Sequence, residues 1–391
     1  MPTRRTTRGT DRTPLTGDVD VLICGASFAG LAVARELAGT GARVLMLDRY
    51  DIGERQTSAC GIPTAWLRAM GLMGSQRQTF GRLVVHTPHR TARLELPWTF
   101  STFDYPQLCS LLAERSDAQF ETAKVSGRTG NTVHTDRGDL TARVVVDALG
   151  WRRVLGGGGS THPDRPGARG SAYQPPDAPL SRGLEVHPWG AGEEMEIWID
   201  RRYVPAGYGW SFPAGDELRI GVGSFDPRFH VKDTTVMLAE DLRRDPVRYQ
   251  GNWIPHRLRD ATEDGVFFVG DSAGHCLPLT AEGIRTAFYF GIACGRELRA
   301  VVEGNLSVAQ ALVRYGDFSA SHGWKFNALL RAQQLVPRVA PQLLAQGLRA
   351  MQSRRFLDWS FGHYLAIAPP EFVAAGPPPA VRRSHARAVA A

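Results

Sequence analysis

Apolar residues near the start of the chain form two short runs joined by a segment with helical spacing. Residues 20–24 and 42–47 are mostly apolar, which indicates two buried strands. The segment between them has apolar side chains at helical spacing, namely Leu31, Val33, Ala34 and Leu37. Gly39 and Gly41 then end the helix. The pattern predicts a compact strand–helix–strand unit with two parallel strands.

The rest of the chain predicts two more buried strands, an antiparallel region and a helical end. Residues 141–147 and 266–269 are apolar runs, and a turn containing Asp and Gly follows each run. Residues 183–226 alternate apolar with polar positions and are rich in aromatic side chains, which is typical of an antiparallel sheet. Helical spacing then follows over 306–320, 324–336 and 340–367. This order of elements predicts an α/β protein with an inserted antiparallel sheet.

The turn after the first strand has the glycines that a dinucleotide phosphate requires. Gly25 allows a tight bend, and Gly30 lets the next helix pack on the strand. The start of that helix offers free N–H groups and a positive dipole end to a diphosphate. Ser27 stands where the usual pattern has its middle glycine, and its small side chain still lets a backbone come close. The binding candidates of this turn are Gly25, Ser27, Phe28, Ala29 and Gly30.

Asp48 ends the second strand, where an acid commonly binds the 2′-hydroxyl of a ribose. Arg49 follows it directly and joins the binding candidates. The alternative is a strand–helix–strand unit with tight turns and no ligand. Asp48 and both flanking elements favour nucleotide binding over that alternative.

A second turn, Gly270-Asp271, follows the fourth apolar run. Asp271 lies at the carboxyl end of a strand, where its carboxylate can accept hydrogen bonds from sugar-alcohol hydroxyls. A helix beginning near Gly283 would point its N-terminal dipole at a ring that gains negative charge on reduction. Two such turns, near opposite ends of the chain, predict one extended cofactor, and FAD has the required length. The remaining binding candidates are Gly150, Asp271, Pro278, Gly283 and Ile284.

Charge and cysteine content narrow the range of partners. The formal net charge is +7, but much of the basic excess lies near the two ends, and no basic run is interleaved with aromatic residues. We therefore expect no nucleic-acid binding. The 5 cysteines have no C-x-x-C spacing, which predicts no metal site and suits a reducing compartment. Without a signal-peptide pattern or a long apolar stretch, we expect a cytoplasmic protein.

Two further motifs make a family resemblance specific. Cys60-Gly61 follows the second strand, and the segment Gly207-Tyr-Gly-Trp-Ser-Phe-Pro213 lies in the antiparallel region. With the two turns, these motifs resemble the FAD-dependent oxidoreductases that include geranylgeranyl reductases, aromatic-hydroxylase-type monooxygenases, flavin halogenases and lycopene cyclases. The likeness covers about residues 19–320 and is greatest to the geranylgeranyl reductase branch. It implies that Cys60 lies near the flavin ring and that the Trp210 strand borders the substrate cavity.

The sequence departs from the monooxygenase and halogenase patterns. Monooxygenases usually have His after Asp-Ala-Ala and end the motif with Gly-x-Gly-x-Asn, whereas this chain has Gly274, Ala281 and Arg285 there. Halogenases require an early lysine, which the chain lacks. Reductases often carry an arginine where this chain has Phe100, and Arg55 is the candidate that replaces it at the diphosphate.

Three residues are candidates for a catalytic role. His275 is a candidate general acid because the ordinary pKa of histidine lies near operating pH, but a capping or surface role fits it as well. Cys60 is a candidate reactive thiol, flavin neighbour or packing residue. Tyr208 is a candidate for the cavity lining or for the sheet core.

The predicted fold class is α/β, with a Rossmann-type (GR2-like) FAD-binding domain, an inserted antiparallel-sheet substrate domain and C-terminal helices. The predicted FAD-binding domain comprises 19–80, 100–160 and 260–320, the substrate domain 81–99 and 161–259, the C-terminal helices 321–373, and disordered tails 1–18 and 374–391.

The leading hypothesis for function is FAD-dependent reduction of a carbon–carbon double bond in an apolar, isoprenoid-like or polyketide-like molecule. NADPH or NADH would reduce the flavin transiently. One alternative is a flavin monooxygenase that uses NAD(P)H and O2, and another is a non-catalytic flavin-binding or prenyl-binding protein. Peripheral membrane contact for a lipid-like substrate and the oligomeric state stay open.

Overall fold

The structure is a computed structural model, and it describes residues 9–56, 58–156 and 179–375. Most of the two predicted tails, and the part of the predicted substrate domain between residues 157 and 178, lie outside the described residues. Residues 9–17, which the prediction placed in the first tail, are held by Arg137. Its guanidinium donates to the carbonyl of Thr13 at 2.9 Å and pairs with Asp11 at 3.1 Å.

The chain alternates strands and helices in its first part and ends in helices. The strands are β1 (Asp18–Cys24), β2 (Val44–Asp48), β3 (Gly61–Pro63), β4 (Gln76–Thr87), β5 (Arg90–Phe103), β6 (Gln119–Thr122), β7 (Val125–Thr129), β8 (Thr132–Thr135), β9 (Gly138–Asp147), β10 (Leu180–Val186), β11 (Met195–Trp198), β12 (Gly207–Pro213), β13 (Leu218–Ser224), β14 (Gln250–Pro255), β15 (Thr262–Glu263) and β16 (Val266–Phe268). The helices are α1 (Phe28–Leu37), α2 (Thr64–Ala69), α3 (Tyr105–Ala113), α4 (Lys232–Asp241), α5 (Ile284–Val302), α6 (Val308–Ala320), α7 (Gly323–Leu335), α8 (Pro341–Met351) and α9 (Arg354–Leu365). The predicted helix over 340–367 is thus two helices, α8 and α9.

The first sheet is largely parallel and has the strand order β15-β16-β9-β1-β2-β6. Strand β1 lies in the middle, with Val21 opposite Val44 on one side and Val144 on the other. The apolar residues of β1, β2 and β9 are buried together with α1 and α5, which explains their continuous apolar runs. Parallel strands bring their carboxyl ends to one edge, so Asp48, Asp147 and Gly270 lie along the same edge of the sheet.

The second sheet has the order β14-β10-β13-β12-β11-β4-β5-β3 and is antiparallel except where β11 meets β4. Its strands β3 to β5 precede strands β6 to β9 of the first sheet in the sequence, and its strands β10 to β14 follow them. Strands β3 to β5 extend it beyond the predicted boundaries of 81–99. The predicted α/β class, with a second sheet and C-terminal helices, is confirmed, and the division into functional domains stays a prediction.

The C-terminal helices pack on the second sheet as well as on α5. Leu348 of α8 and Leu357 of α9 are buried against Val85, Ala92 and Leu94 of β4 and β5. Helix α9 thereby links the second sheet to the edge of the first sheet, where the predicted binding residues lie.

Candidate functional site

The first glycine turn lets β1, β9 and α1 approach more closely than any side chain would allow. Gly25 has a φ of 113°, and a Cβ there would lie 2.2 Å from the carbonyl oxygen of Ala148. A Cβ on Gly30 would lie 1.9 Å from the carbonyl oxygen of Gly25. Ser27 has a φ of −115° and a ψ of −160°, which any residue adopts. This backbone geometry explains why the turn tolerates serine in place of the middle glycine.

Helix α1 presents unpaired amides at its start. The hydroxyl of Ser27 lies 3.0 Å from that of Tyr105 and does not cap the helix. The first amides of a helix have no partner within it, and no hydrogen bond among the described residues involves the amides of Phe28 or Ala29. These amides, with the positive end of the helix dipole, can bind a diphosphate.

Asp48 lies beside this turn and is held by the backbone. Its carboxylate accepts hydrogen bonds from the amide of Ala26 at 2.9 Å and from the amide of Tyr50 at 3.2 Å. Burial raises the pKa of Asp48, and these amides oppose the shift. Arg49 and Arg55 lie over the ring of Tyr50 and are both exposed. Two cations therefore lie beside the predicted nucleotide end.

The second turn contacts the first. Gly270 has a φ of 63°, and a Cβ there would lie 2.9 Å from the Cβ of Ala29. Ser272 donates to the carboxylate of Asp147 at 2.7 Å and to the carbonyl of Gly150 at 3.0 Å, which joins the ends of β9 and β16. The structure therefore brings together Gly150, Asp271 and the start of α1, although they are far apart in sequence.

Asp271 differs from Asp48 because no backbone amide holds it. Its carboxylate is half-buried, and none of the hydrogen bonds of the described residues ends on it. Burial raises its pKa to about 6, and the positive charge of Arg259 opposes the shift. A Cβ on Gly283, the residue before α5, would lie 3.6 Å from the Asp271 carboxylate. The carboxylate therefore lies at the N-terminus of α5 and can accept hydrogen bonds from the hydroxyls of a ligand.

The loop of residues 277–283 is braced by surrounding elements. The amide of Leu277 donates to the carbonyl of Glu282 at 3.0 Å, which closes the loop. The side chain of Gln333 in α7 donates to the carbonyl of Pro278 at 2.6 Å. From β12, the hydroxyl of Tyr208 donates to the carbonyl of Thr280 at 2.5 Å. The predicted residues Tyr208, Pro278, Gly283 and Ile284 therefore lie around one fixed loop.

Cys60 lies in a turn directly before β3. It has a φ of 53°, and its carbonyl accepts from the amide of Phe103 at 3.0 Å. Its thiol is fully buried and donates to the carbonyl of Ser58 at 3.1 Å. Burial holds the pKa of the thiol well above its ordinary value. This environment favours a packing role over thiol chemistry, although its role beside a flavin stays a prediction.

His275 is enclosed in the core beneath α5. Its ring stacks on Phe290 with 3.7 Å between centroids, and its Nε2 lies 2.9 Å from the hydroxyl of Ser319. It is fully buried, and this burial lowers its pKa well below the ordinary value. The ring is therefore neutral and turned into the protein, which favours packing over the role of general acid.

The second sheet contains a buried acid that the sequence analysis does not predict as a site residue. Glu185 of β10 accepts from the indole N–H of Trp210 at 3.2 Å, and it also pairs with His187 at 3.0 Å and bonds to Gln250. A Cβ on Gly221 would lie 2.3 Å from the Trp210 ring, so glycine lets the indole lie flat on the sheet. The only signal in the sequence is an acid within an alternating apolar strand.

The described residues fit an extended dinucleotide. The free amides of α1, with Asp48 and two arginines nearby, suit the adenosine diphosphate end, and the Asp271 carboxylate without a donor suits a hydroxyl chain. The contact between the two turns lets one ligand reach both. Within the same residues no group of His, Cys, Asp and Glu side chains is arranged to hold a metal ion.

Comparison with known proteins supports this interpretation. Residues 18–95 match the FAD binding domain family. The digeranylgeranylglycerophospholipid reductase 3 of Methanosphaera stadtmanae is 25% identical over 373 residues, which cover 85% of this chain and 91% of that protein.

Two solved structures share the fold. A geranylgeranyl bacteriochlorophyll reductase-like protein from Thermoplasma acidophilum superposes with a TM-score of 0.74 at 17% identity, over 91% of this chain and 98% of that one. The p-nitrophenol 4-monooxygenase PnpA from Pseudomonas putida superposes with a TM-score of 0.68 at 15% identity, over 90% and 99%. At these identities the structural likeness shows the fold alone.

The predicted resemblance and the Rossmann-type FAD-binding fold are therefore confirmed. In the part of the chain that the structure describes, no helix combines the length and apolar composition needed to cross a bilayer. The chain is an FAD-dependent oxidoreductase with the fold of the superfamily that includes geranylgeranyl reductases and aromatic-hydroxylase-type monooxygenases.

Proposed function

We propose that this protein uses hydride from reduced FAD to reduce a carbon–carbon double bond of an apolar small molecule, isoprenoid-like or polyketide-like. The observation that carries the proposal is the contact between β12 and the 277–283 loop, made by Tyr208 and Thr280. This contact brings the aromatic side of the second sheet to the end of the FAD site that Asp271 marks. The similar protein from Methanosphaera stadtmanae, which is named as a reductase, supports this reaction.

The residues of the chain have distinct tasks in this reaction. Reduced FAD, when bound, supplies a hydride to one carbon of the double bond, and the other carbon takes a proton. The start of α1 binds the diphosphate, and Asp271 accepts from a hydroxyl of the cofactor. Tyr208 and Trp210 cover the substrate side and exclude water. The predicted roles of Gly25, Gly30 and Asp48 are to shape and hold the other end.

Tyr208 is the best placed of the three catalytic candidates to hold the proton. Burial raises the pKa of its hydroxyl, so the hydroxyl stays protonated at neutral pH. It already donates to a carbonyl in the 277–283 loop, at the border between the sheet and the cofactor site. His275 and Cys60 are both fully buried, whereas Tyr208 is only partly buried.

NADPH or NADH is the proposed electron donor, and it visits the flavin only transiently. The sequence has one dinucleotide-type glycine turn after a strand, at Gly25 to Gly30, and the FAD diphosphate takes that turn. The sequence therefore offers no second turn of this kind to a resident nicotinamide cofactor.

The experiment begins with purified protein that carries FAD and is kept free of oxygen. We expect NADPH or NADH to bleach the flavin absorption, and geranylgeraniol to restore it while gaining two hydrogens. Tyr208→Phe should keep FAD and slow this step by at least about 100-fold, the range typical of a lost general acid.

Other outcomes of this experiment would favour one of the alternative functions. Incorporation of labelled oxygen from O2 into the probe would favour the monooxygenase, which shares the fold. Reduction of the flavin without a change in any isoprenoid or polyketide probe would favour an electron carrier. A protein that takes up no FAD would favour the binding protein.

We also propose that the C-terminal helices contact an anionic lipid surface that delivers the substrate. Leu335, Leu343 and Trp359 are 59%, 58% and 59% exposed, and Arg338, Arg349 and Arg355 are exposed beside them in sequence. Exposed apolar side chains interspersed with arginines are typical of interfacial helices.

Sedimentation with vesicles tests this contact. We expect binding to phosphatidylglycerol vesicles and not to phosphatidylcholine vesicles, and loss of binding in Trp359→Ser. Trp189→Ser is the matched control because Trp189 is 64% exposed but lies outside the C-terminal helices. Equal loss in both variants would contradict the proposal.

A further inference from the structure

Arg285 is a fully buried cation at the start of α5. It is 0% exposed, and its Nε and one of its terminal nitrogens donate to the carboxylate of Glu282 at 2.7 and 2.9 Å. A two-point pair of this kind compensates both charges, because an unpaired buried charge is strongly unfavourable. The sequence marked Arg285 as a departure from the Asn of the monooxygenase motif, and the proposed function leaves it without a task.

The same guanidinium caps the end of α9. It donates to the carbonyl of Leu365 at 2.9 Å and to the carbonyl of Ala368 at 3.1 Å. The indole of Trp66 shares the Ala368 carbonyl at 3.1 Å. The last carbonyls of a helix lack partners within it and carry the negative end of its dipole, so a cation stabilises them. Arg285 therefore joins the start of α5 to the end of α9.

Tyr364 of α9 completes the connection. Its hydroxyl donates to the carboxylate of Glu282 and lies 2.6 Å from the hydroxyl of Thr280. The guanidinium of Arg285 lies 4.9 Å from the centroid of the Tyr364 ring. We name Glu282, Arg285 and Tyr364 the C-terminal clamp. The clamp encloses the 277–283 loop between α5 and α9.

The clamp places two opposite charges where α5 begins. Gly283 lies between them in sequence, and a Cβ on it would lie 3.6 Å from the Asp271 carboxylate. While Glu282 and Arg285 are paired, their charges largely cancel, and the dipole of α5 would act with little interference on a cofactor bound beside Asp271. Removal of either partner leaves a full charge in a buried place, where it acts with little screening.

We propose that the C-terminal clamp sets the reduction potential of the bound FAD by keeping this charge pair neutral and fixed at the start of α5. The three residues are positioning residues and do not react. The inference rests on the placement of FAD across both turns, which the proposed function also requires. It goes beyond that function because it assigns a redox role to residues outside the substrate side.

The test measures the midpoint potential of bound FAD without any substrate, so failure of the reductase proposal leaves it intact. Glu282→Gln leaves Arg285 unpaired and should favour the more negative, reduced flavin. We expect the equilibrium to shift about tenfold towards reduced FAD, which is about +30 mV for a two-electron couple. Arg285→Met leaves Glu282 unpaired and should shift the potential by a similar amount in the opposite direction.

The double variant and a matched control distinguish charge from loosened packing. Glu282→Gln combined with Arg285→Met should return the potential close to that of the natural protein. Arg299 is a second arginine of α5 that caps another helix, since it donates to the carbonyl of Ala38 at 3.1 Å. Arg299→Gln should leave the potential unchanged because Arg299 lies about 20 Å along α5 from Arg285, given 1.5 Å per residue.

Tyr364→Phe should lower the potential by less than Arg285→Met does, because it removes an uncharged donor from Glu282. Shifts of the two charge variants in the same direction, or no shift in Glu282→Gln, would overturn the proposal. If Arg285→Met does not fold, Glu282→Gln and the double variant still decide it.

Discussion

Asp48 and Asp271 lie at the same edge of one sheet, yet the protein holds them differently. Each follows a strand of the first sheet, and burial raises the pKa of each carboxyl. Asp48 accepts hydrogen bonds from two backbone amides, at 2.9 and 3.2 Å. Asp271 accepts none from any residue that the structure describes.

The end of the site at Asp48 is therefore preformed, whereas we expect the ligand to complete the end at Asp271. Backbone amides already stabilise the charge of Asp48, so the first turn is complete in the protein alone. Asp271 is half-buried and has no hydrogen-bond donor among the described residues, so a hydroxyl that donates to it would stabilise its charge. We therefore expect the extended cofactor to gain more from Asp271 than from Asp48, and Asp48 to contribute more to the stability of the fold.

The strongest way to break the preformed end is a substitution of Gly25. Gly25→Ala adds a Cβ 2.2 Å from a carbonyl oxygen at a φ of 113°, so β1 and β9 must separate. We expect a loss of more than about 4 kcal/mol in the free energy of unfolding and no FAD binding. Urea unfolding and FAD titration measure both.

Gly39→Ala is the matched control for this prediction. Gly39 also has a positive φ, 75°, but nothing lies within 4 Å of its added Cβ. It should lower the free energy of unfolding by about 1 kcal/mol through backbone strain alone. Similar effects of the two substitutions would contradict the view that close approach, rather than backbone angle, demands glycine at the first turn.

Part of this first end is predictable from the sequence because its constraint is local. The close approach that requires Gly30 is to Gly25, within one strand–turn–helix unit, whereas Gly25 lies against Ala148 after β9, a contact that no local pattern shows. The positions of Asp48 and Asp271 at strand ends are also predictable, because each follows an apolar run. For the same reason the parallel sheet is predictable, since continuous apolar runs reflect burial on both faces.

Contacts between distant segments are what the sequence does not show. His275 follows Asp271 closely in sequence, but its stacking on Phe290 and its bond to Ser319 depend on how α5 and α6 pack. The bond of Glu185 to Trp210 and that of Tyr364 to Glu282 also join segments that no local pattern connects. The pairing of β4 with β11, which joins β3 to β5 to the rest of the second sheet, is likewise a contact between segments distant in sequence.

We expect the same substitution at the two aspartates to have different effects on the free energy of unfolding of the FAD-free protein. Asp48→Asn weakens the acceptor of two amides and should lower the free energy of unfolding by about 1–2 kcal/mol. Asp271→Asn removes a half-buried charge without hydrogen-bond donors and should leave that free energy unchanged or raised. FAD affinity should instead fall by about 10- to 100-fold in Asp271→Asn, the range for a lost hydrogen bond to a charged group.

Measurements on both forms test this contrast. Urea unfolding of the FAD-free proteins gives the stabilities, and quenching of FAD fluorescence gives the affinities. A loss of stability in Asp271→Asn equal to that in Asp48→Asn would show that unseen donors hold both carboxylates. The distinction between the two ends of the site would then fail.

The smallest predicted effect is a dependence of FAD affinity on pH. Without FAD, burial raises the pKa of Asp271 from its ordinary 3.8 to about 6. A hydroxyl of FAD that donates to the carboxylate favours the charged form, so the pKa of Asp271 falls on binding. Between these two pKa values FAD binding releases a proton, and FAD affinity should rise as the pH increases from about 5 to 7 and then level off.

The direction in which stability changes with pH follows from the same pKa values of Asp271. In the FAD-free protein the folded pKa lies above the unfolded one, so the protonated carboxyl favours folding at low pH. This contribution is lost as the pH rises through about 6. Asp271→Asn should abolish both dependences, and the difference between the natural protein and this variant removes the effect of other groups, including Asp48. An affinity for FAD that changes equally with pH in both proteins would show that Asp271 does not accept from the cofactor.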